Sequence, residues 1–332
     1  MQKITREELI KKAEMLLENG TVKSVLGWKS GELGYDVTPA IFKSVEEMEK
    51  SFVYNDFAGA NLSKYLVSKA QKSEGKILVF LKPCDTYSFN QLLTEHRFER
   101  EAVYAVGIPC EGMADIGKIK KIVGEGVSKI TSGGDEILVT TLYNDALVSL
   151  KSADCLLERC QNCKSKKHVA YDELLCETGE VLNSPRFDEV ARIENMTPDE
   201  RFEFWQNELS KCIRCNACRD ACPACTCEKC VFDNPSSGIE NKSPANSFEE
   251  KLFHIIRAYH VAGRCTDCGE CSRACPQNIP LHLLNRKFIK DINELYGDYQ
   301  AGCEVGTRAP LVDYTLEDME PGEALDRRGE NA

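Results

Sequence analysis

The sequence predicts two parts of different fold class, an α/β domain over residues 1–177 and a mainly helical, cysteine-rich domain over residues 197–304. A poorly periodic stretch, 178–196, links them, and an acidic tail runs from 305 to 332. Three observations carry this. KILVFL (76–81) and AVYAVGIP (102–109) are short, branched apolar runs of the kind that form buried strands, and helical patterns flank them. Eleven of the 18 cysteines fall between residues 212 and 275. Within that span Cys212, Cys215, Cys218 and Cys222, followed by Pro223, recur at the same spacing as Cys265, Cys268, Cys271 and Cys275, followed by Pro276.

The elements follow in order. Thr5 with Glu8 makes a capping box for a first helix that Gly20 ends. A strand is expected at 22–27, a short helix opened by Ser44 with Glu47, and a helix over 61–72. The first apolar run ends in Lys82-Pro83-Cys84-Asp85 and the second in Cys110-Glu111-Gly112, so two thiols are expected at the carboxyl edge of the sheet, where open α/β sheets hold ligands. A helix over 113–123 and strands near 126–130 and 136–141 are expected to complete that sheet. Thr197-Pro198-Asp199-Glu200 opens a helix that delivers the chain to Cys212. Ser247 with Glu250 caps another, ending at Gly263, and residues 280–296 form an amphipathic helix after the second cysteine run. The 305–332 segment reads as a tail or a strap for a partner.

C-x2-C-x2-C-x3-C-P is the spacing of proteins that hold two 4Fe-4S clusters. Three thiolates two residues apart, on a loop around an iron-sulfur cube, each reach a different iron, and the fourth serves the neighbouring cluster. One cluster is therefore assigned to Cys212, Cys215, Cys218 and Cys275, and its partner to Cys265, Cys268, Cys271 and Cys222. C-x2-C pairs also bind zinc, which is the alternative. The helical domain is expected to be a two-cluster, ferredoxin-like module.

Cys160-Gln-Asn-Cys163 has ligand spacing too, and with Cys84 and Cys110 it would complete a third four-thiolate site. Cys155 is the substitute ligand, and Cys303 falls outside every ligand spacing. Cys225, Cys227 and Cys230 follow Cys222 closely, either as ligands of a further cluster or as thiols that tune its potential. His254 and His260 read as packed or surface residues. Lys164, Lys166, Lys167 and His168 read as a solvated loop, with a patch for a flavin or nucleotide phosphate as the alternative. No general acid or base is needed for electron transfer, and none of the five histidines forms an acid-base constellation.

A net charge of -11 argues against nucleic acid or an anionic membrane surface as partner and suits docking to proteins. No apolar run reaches the roughly 20 residues that span a bilayer, and the opening segment reads as an amphipathic helix without a signal-peptide core. The expectation is a cytoplasmic protein whose cysteines are metal ligands in a reducing compartment, and whose exposed clusters suit an anaerobe.

LKPCDTYSFNQL, GIPCEG, ERCQNC, CIRCNACRDACPACTCEKC and AGRCTDCGECSRACPQNIPLHLLNR resemble the beta subunits of deazaflavin (coenzyme F-420)-reducing hydrogenases and of formate dehydrogenases. They resemble in particular bacterial relatives associated with heterodisulfide-reductase-like complexes. The resemblance covers most of residues 20–300. It implies a flavin, normally FAD, in the N-terminal domain beside a 4Fe-4S cluster, with the C-terminal clusters leading to another subunit. The sequence departs from the dinucleotide-binding fingerprint in having no GxGxxG loop, so no residue is assigned to the flavin. The expected function is an iron-sulfur, FAD-containing electron-transfer subunit of a multi-subunit anaerobic oxidoreductase, with ferredoxin or NAD(P)H as further partners. The alternative is a flavin-free, ferredoxin-type wire.

Overall fold

The computed structural model describes residues 3–70, 75–234 and 247–312. Helix α1 (Arg6–Glu18) carries the full Thr5/Glu8 capping box and buries Leu9, Ile10, Ala13 and Leu16. Strands β1 (Ser24–Ser30) and β2 (Val37–Phe42) form an antiparallel pair, and α2 (Val45–Ser51) starts at Ser44, whose hydroxyl accepts from the Glu47 amide. Helix α3 (Ser63–Lys69) leads to β3 (Ile77–Leu81), every residue of which is buried, and then to α4 (Pro83–Thr94). Strand β4 (Val103–Gly107) and α5 (Ile116–Val123) follow. Next come β5 (Val127–Gly133), β6 (Glu136–Thr141), β7 (Asn144–Lys151), the single-turn α6 (Glu158–Gln161) and the two-residue β8 (Glu173–Leu174).

The main sheet has the order β2-β1-β3-β4-β8, with β1, β3, β4 and β8 parallel. Strands buried on both faces read as continuous apolar runs, which is how β3 and β4 stand out in the sequence. The strands at 127–133 and 136–141 do not join this sheet, contrary to expectation. With β7 they form a separate antiparallel sheet, β5-β6-β7. Their alternation explains it: in β6 Ile137 and Val139 are buried while Glu136 is exposed, and in β5, beyond an irregularity between Val127 and Lys129, exposed Lys129 and Thr131 alternate with half-buried Ser128, Ile130 and Ser132, the pattern of a sheet covered on one side.

A second correction falls on the expected linker. Residues 178–196 contain α7 (Asp188–Glu194), whose Val190 and Ile193 are buried with Leu283. Two apolar residues three apart on a seven-residue helix are too little periodicity to stand out in the sequence. Helix α8 (Pro198–Leu209) has the expected Thr197/Glu200 capping box.

The two cysteine runs are repeats in conformation as well as spacing. The first leads into α9 (Ala217–Asp220); α10 (Ser247–His260) follows, and the second run leads into α11 (Glu270–Arg273). Arg214 and Asp267, each two residues after the first cysteine of its run, have φ of 54° and 56°. Asn216 and Gly269, at the next equivalent position, have φ of 62° and 64°. Left-handed residues at matched positions turn successive amides inward, which makes a concavity suited to anionic groups. Helix α12 (Leu281–Tyr296) then packs on α7 and α10. Ser247 lies inside α10 rather than before it, and the Ser247 and Glu250 side chains lie outside the described residues, as does the tail from 313 onward. No helix among the described residues is long and apolar enough to cross a membrane.

Candidate functional site

The parallel register of β3 and β4 pairs Leu81 with Gly107, so the two strands release the chain side by side. Pro83 opens α4 and places Cys84 in its first turn, while Cys110 lies three residues beyond β4. Cys160 comes from α6, and Cys163 follows it. The chain approaches closely here because Gly112, at φ +118°, has no side chain: a Cβ there would stand 2.9 Å from Leu156 and 3.6 Å from the Cys160 Cβ.

Cys84, Cys110, Cys160 and Cys163 line one cavity. Arg159, Lys164, Asp267, Cys268 and Arg286 complete the wall, so this cavity touches the second cysteine run. Burial pushes the Cys84 thiol well up, and burial followed by the neighbouring Cys160 pushes Cys110 up to about 12. Below Cys84 lies a buried ion pair, Lys82 to Asp85 at 2.8 Å, with the Lys82 ammonium 4.5 Å from the Trp28 ring centroid.

Cys222, Cys265, Cys268 and Cys271 form the next group. Their electrostatic coupling shows the proximity: Cys265 and Cys268 are each raised by burial first, with Cys222 a further cause, and Cys271 is held at about 12 by burial, with Cys222 and Cys268 contributing. The Asn285 amide lies 3.6 Å from Cys271 Sγ. The Cys225 thiol donates to Cys222 and thereby lowers it. Arg159, paired with Glu270 at 2.6 Å, also donates to the Cys268 carbonyl and so bridges this group and the first cavity.

Cys212, Cys215, Cys218 and Cys275 line a third cavity, closed on one side by Phe253 and His254 of α10. Burial, then the charges of Arg257 and Arg214, push His254 down to about 3, so its ring is neutral.

Two features test whether these sulfurs suit iron-sulfur clusters. Backbone amides point at them: the Arg214 amide donates to Cys212 Sγ at 3.4 Å, and amides of Asp267, Glu270, Ala224 and Gly112 donate to Cys265, Cys268, Cys222 and Cys110. Hydrogen bonds to sulfur are characteristic of cluster ligands and set cluster potential. The second feature is Arg257, 4% exposed, which donates to the Cys218 carbonyl at 2.7 Å. Burial opposes its charge, and the groups that favour it are the sulfurs of Cys222, Cys218, Cys225 and Cys271. A buried guanidinium with no carboxylate partner among the described residues calls for thiolates, and metal binding deprotonates thiols. The donor set therefore fits clusters. No three Cys, His, Asp or Glu side chains among the described residues are grouped as a single metal ion would need.

The remaining expectations divide. Cys155 is buried with Ile119, Val127, Ile137 and Val139 under the small sheet and lines none of the three cysteine cavities. Cys176 borders a separate crevice beside Cys110, and Cys303 is exposed. Cys227 is exposed and Cys230 half-buried. The solvated-loop expectation holds at exposed Lys167 but not at Lys164 and His168, which are buried, and His168 Nε2 lies 3.2 Å and 3.0 Å from the carbonyls of Leu81 and Ile108. His260 is exposed. Sequence reasoning passed over Arg159, Arg257 and Asn285. The signal for Arg159 was its place directly before Cys160; the other two show only when α10 and α12 are packed.

Comparison with known proteins follows this geometry. A family model described as a 4Fe-4S dicluster domain matches residues 208–279, so the C-terminal region contains such a domain. The F420-dependent formate dehydrogenase subunit beta of Methanocaldococcus jannaschii is 23% identical over 85% of this chain and 88% of its own length. The F420-dependent formate dehydrogenase 1 subunit beta of Methanococcus maripaludis is 25% identical over 89% of this chain and 92% of its own. A solved chain of the F420-reducing [NiFe] hydrogenase complex from Methanosarcina barkeri aligns with a TM-score of 0.38 and 14% identity, over 64% of this chain and 94% of that one. The class defined is that of an iron-sulfur oxidoreductase subunit. Within it, the chain is similar over most of its length to the beta subunits of F420-dependent formate dehydrogenases.

Proposed function

We propose that the chain is the electron-transfer subunit of a multi-subunit oxidoreductase of formate dehydrogenase, hydrogenase or heterodisulfide-reductase-like type, carrying three 4Fe-4S clusters and FAD. The observation that carries this is the gathering of Cys84, Cys110, Cys160 and Cys163, from three separate stretches of chain, around one cavity whose wall includes Cys268. Two ligand sets that share a wall are placed for transfer between them, and Arg257 lies among sulfurs of the other two sets. The order of carriers is then the Cys84 site, the Cys222/Cys265/Cys268/Cys271 site and the Cys212/Cys215/Cys218/Cys275 site.

The flavin would lie next to the first of these. A crevice borders Arg159 and runs between α5 and the α11 loop. Lys118, Lys121 and Arg273 supply positive charge for a diphosphate, and Leu157, Ile279 and Leu283 supply an apolar wall for a ring. Flavin, when bound, supplies the conversion between two-electron and one-electron transfer. The protein positions it, excludes water and holds the clusters close by. Substrate oxidation belongs to a partner subunit, and ferredoxin or NAD(P)H is the proposed further partner. The lack of a GxGxxG loop favours a second reading, a wire without flavin.

Changing Cys160 and Cys163 together to Ala tests the order. The variant is expected to keep its flavin reducible by the two-electron donor while the ferredoxin-type clusters no longer receive electrons in stopped-flow spectra. Cluster reduction through the flavin at the unmodified rate overturns the order. Purified protein without a flavin absorbance band supports the wire.

A further inference from the structure

Three histidines are buried in the described structure, and two have partners. His168 contacts two strand-end carbonyls, and His282 contacts Ser272 and Glu158. His254 is the exception. It is 2% exposed, and neither of its ring nitrogens has a hydrogen-bond partner among the described residues. Leaving a buried donor unpaired is unfavourable, and an apolar residue would fill the same space without that penalty.

The ring lines the cavity bounded by Cys212, Cys215, Cys218 and Cys275. Phe253 meets it edge to face, with ring centroids 4.9 Å apart, and Arg257 lies one turn further along α10. The second cluster site has a side-chain donor in the equivalent role, since Asn285 of α12 reaches Cys271 Sγ. In each case a helix outside the cysteine loop brings a side chain with an N–H group to the cysteine site.

We propose that His254 donates its N–H to a sulfur of the cluster held by Cys212, Cys215, Cys218 and Cys275 and so sets that cluster's reduction potential. The inference rests on the cluster assignment made under the proposed function. A hydrogen bond to sulfur stabilises the reduced, more negative cluster more than the oxidised one, and therefore raises the potential. His254 is a positioning residue for electron flow: it makes this cluster easier to reduce than the same cluster without the hydrogen bond.

The test uses the full chain, purified anaerobically, with iron analysis before EPR-monitored redox titration. His254→Leu is expected to keep its iron while the midpoint of one cluster moves to more negative potential and the others stay. His254→Asn, which restores an N–H, is expected to recover part of the shift. Unchanged midpoints in an iron-replete His254→Leu protein overturn the inference. Should His254→Leu lose the cluster, wild-type protein with 15N-histidine decides: a weak nitrogen coupling to a reduced cluster supports the hydrogen bond. No coupling overturns it, as does one as large as an iron-bound nitrogen gives. Wild-type protein without iron overturns the cluster assignment itself.

Discussion

The ferredoxin-type loops and the cavity at the edge of the main sheet gather sulfur in opposite ways. In the loops, the spacing of the cysteines along the chain is itself the geometry, repeated twice with left-handed residues at the same positions. In the sheet-edge cavity, Cys84 and Cys110 are 26 positions apart, and only the parallel pairing of β3 with β4 brings their neighbourhoods together. One site is written into local sequence, and its order is expected to depend on metal. The other is written into a core and depends on the sheet. Each prediction below breaks one of these dependencies and leaves the other in place.

The largest effect is expected from Cys268→Ser. Cys268 belongs to the second cysteine run and also lines the sheet-edge cavity, so its loss should disorder residues 197–304 and empty two sites. Limited proteolysis should cut the C-terminal part and spare the sheet. A fully cluster-loaded, protease-resistant variant contradicts the assignment. Arg257→Met comes next. Removing the buried cation that faces four cysteine sulfurs should cost about 3–5 kcal/mol, the range for breaking a buried charge pair. Denaturant unfolding should show this in the helical part, with the iron at the sheet-edge site retained.

How much was legible in the sequence follows the same divide. The C-x2-C-x2-C-x3-C-P runs were readable because the first three cysteines of each lie on one loop, so their nearness is written in their spacing. Strands β3 and β4 were readable because burial on both faces leaves a continuous apolar run. Their shared edge could only be expected, since strand order depends on contacts between distant residues. For the same reason β5 and β6 were assigned to the wrong sheet. Helix α7 was lost in the expected linker because its packing on α12 supplies what its own pattern lacks. Arg159, Arg257 and Asn285 are ordinary polar residues on paper and act only through where folded helices carry them.

Two smaller effects sharpen the sheet side. A Cβ at Gly302, where φ is +74°, would stand 1.8 Å from the Tyr87 carbonyl oxygen, so Gly302→Ala should cost about 1–3 kcal/mol by forcing residues 301–306 off α4. Melting temperature should fall while the iron content stays. His168 sits at the ends of β3 and β4, and burial lowers its pKa, so the folded protein resists protonating it. Below about pH 6.5 the unfolded chain takes up a proton there that the folded chain does not, and stability falls as pH falls. The slope contributed is at most about 1.4 kcal/mol per pH unit. Denaturant midpoints at pH 7 and pH 5.5 should differ less in His168→Gln than in the parent. Equal differences would show that His168 does not carry the effect.

The smallest effect is expected from Cys303→Ser, since that thiol is exposed and lines none of the three cysteine cavities. Iron content and melting temperature should both stay within error.

The central claim is that the sheet edge holds a cluster of its own beside the two in the loops. Anaerobic iron and acid-labile sulfide analysis of the purified chain, alongside the variant with Cys160 and Cys163 both changed to Ala, tests it most directly. The account predicts about 12 irons per chain, three four-iron clusters, falling to about 8 in the variant with the melting temperature of the sheet retained. About 8 irons in both proteins would contradict it.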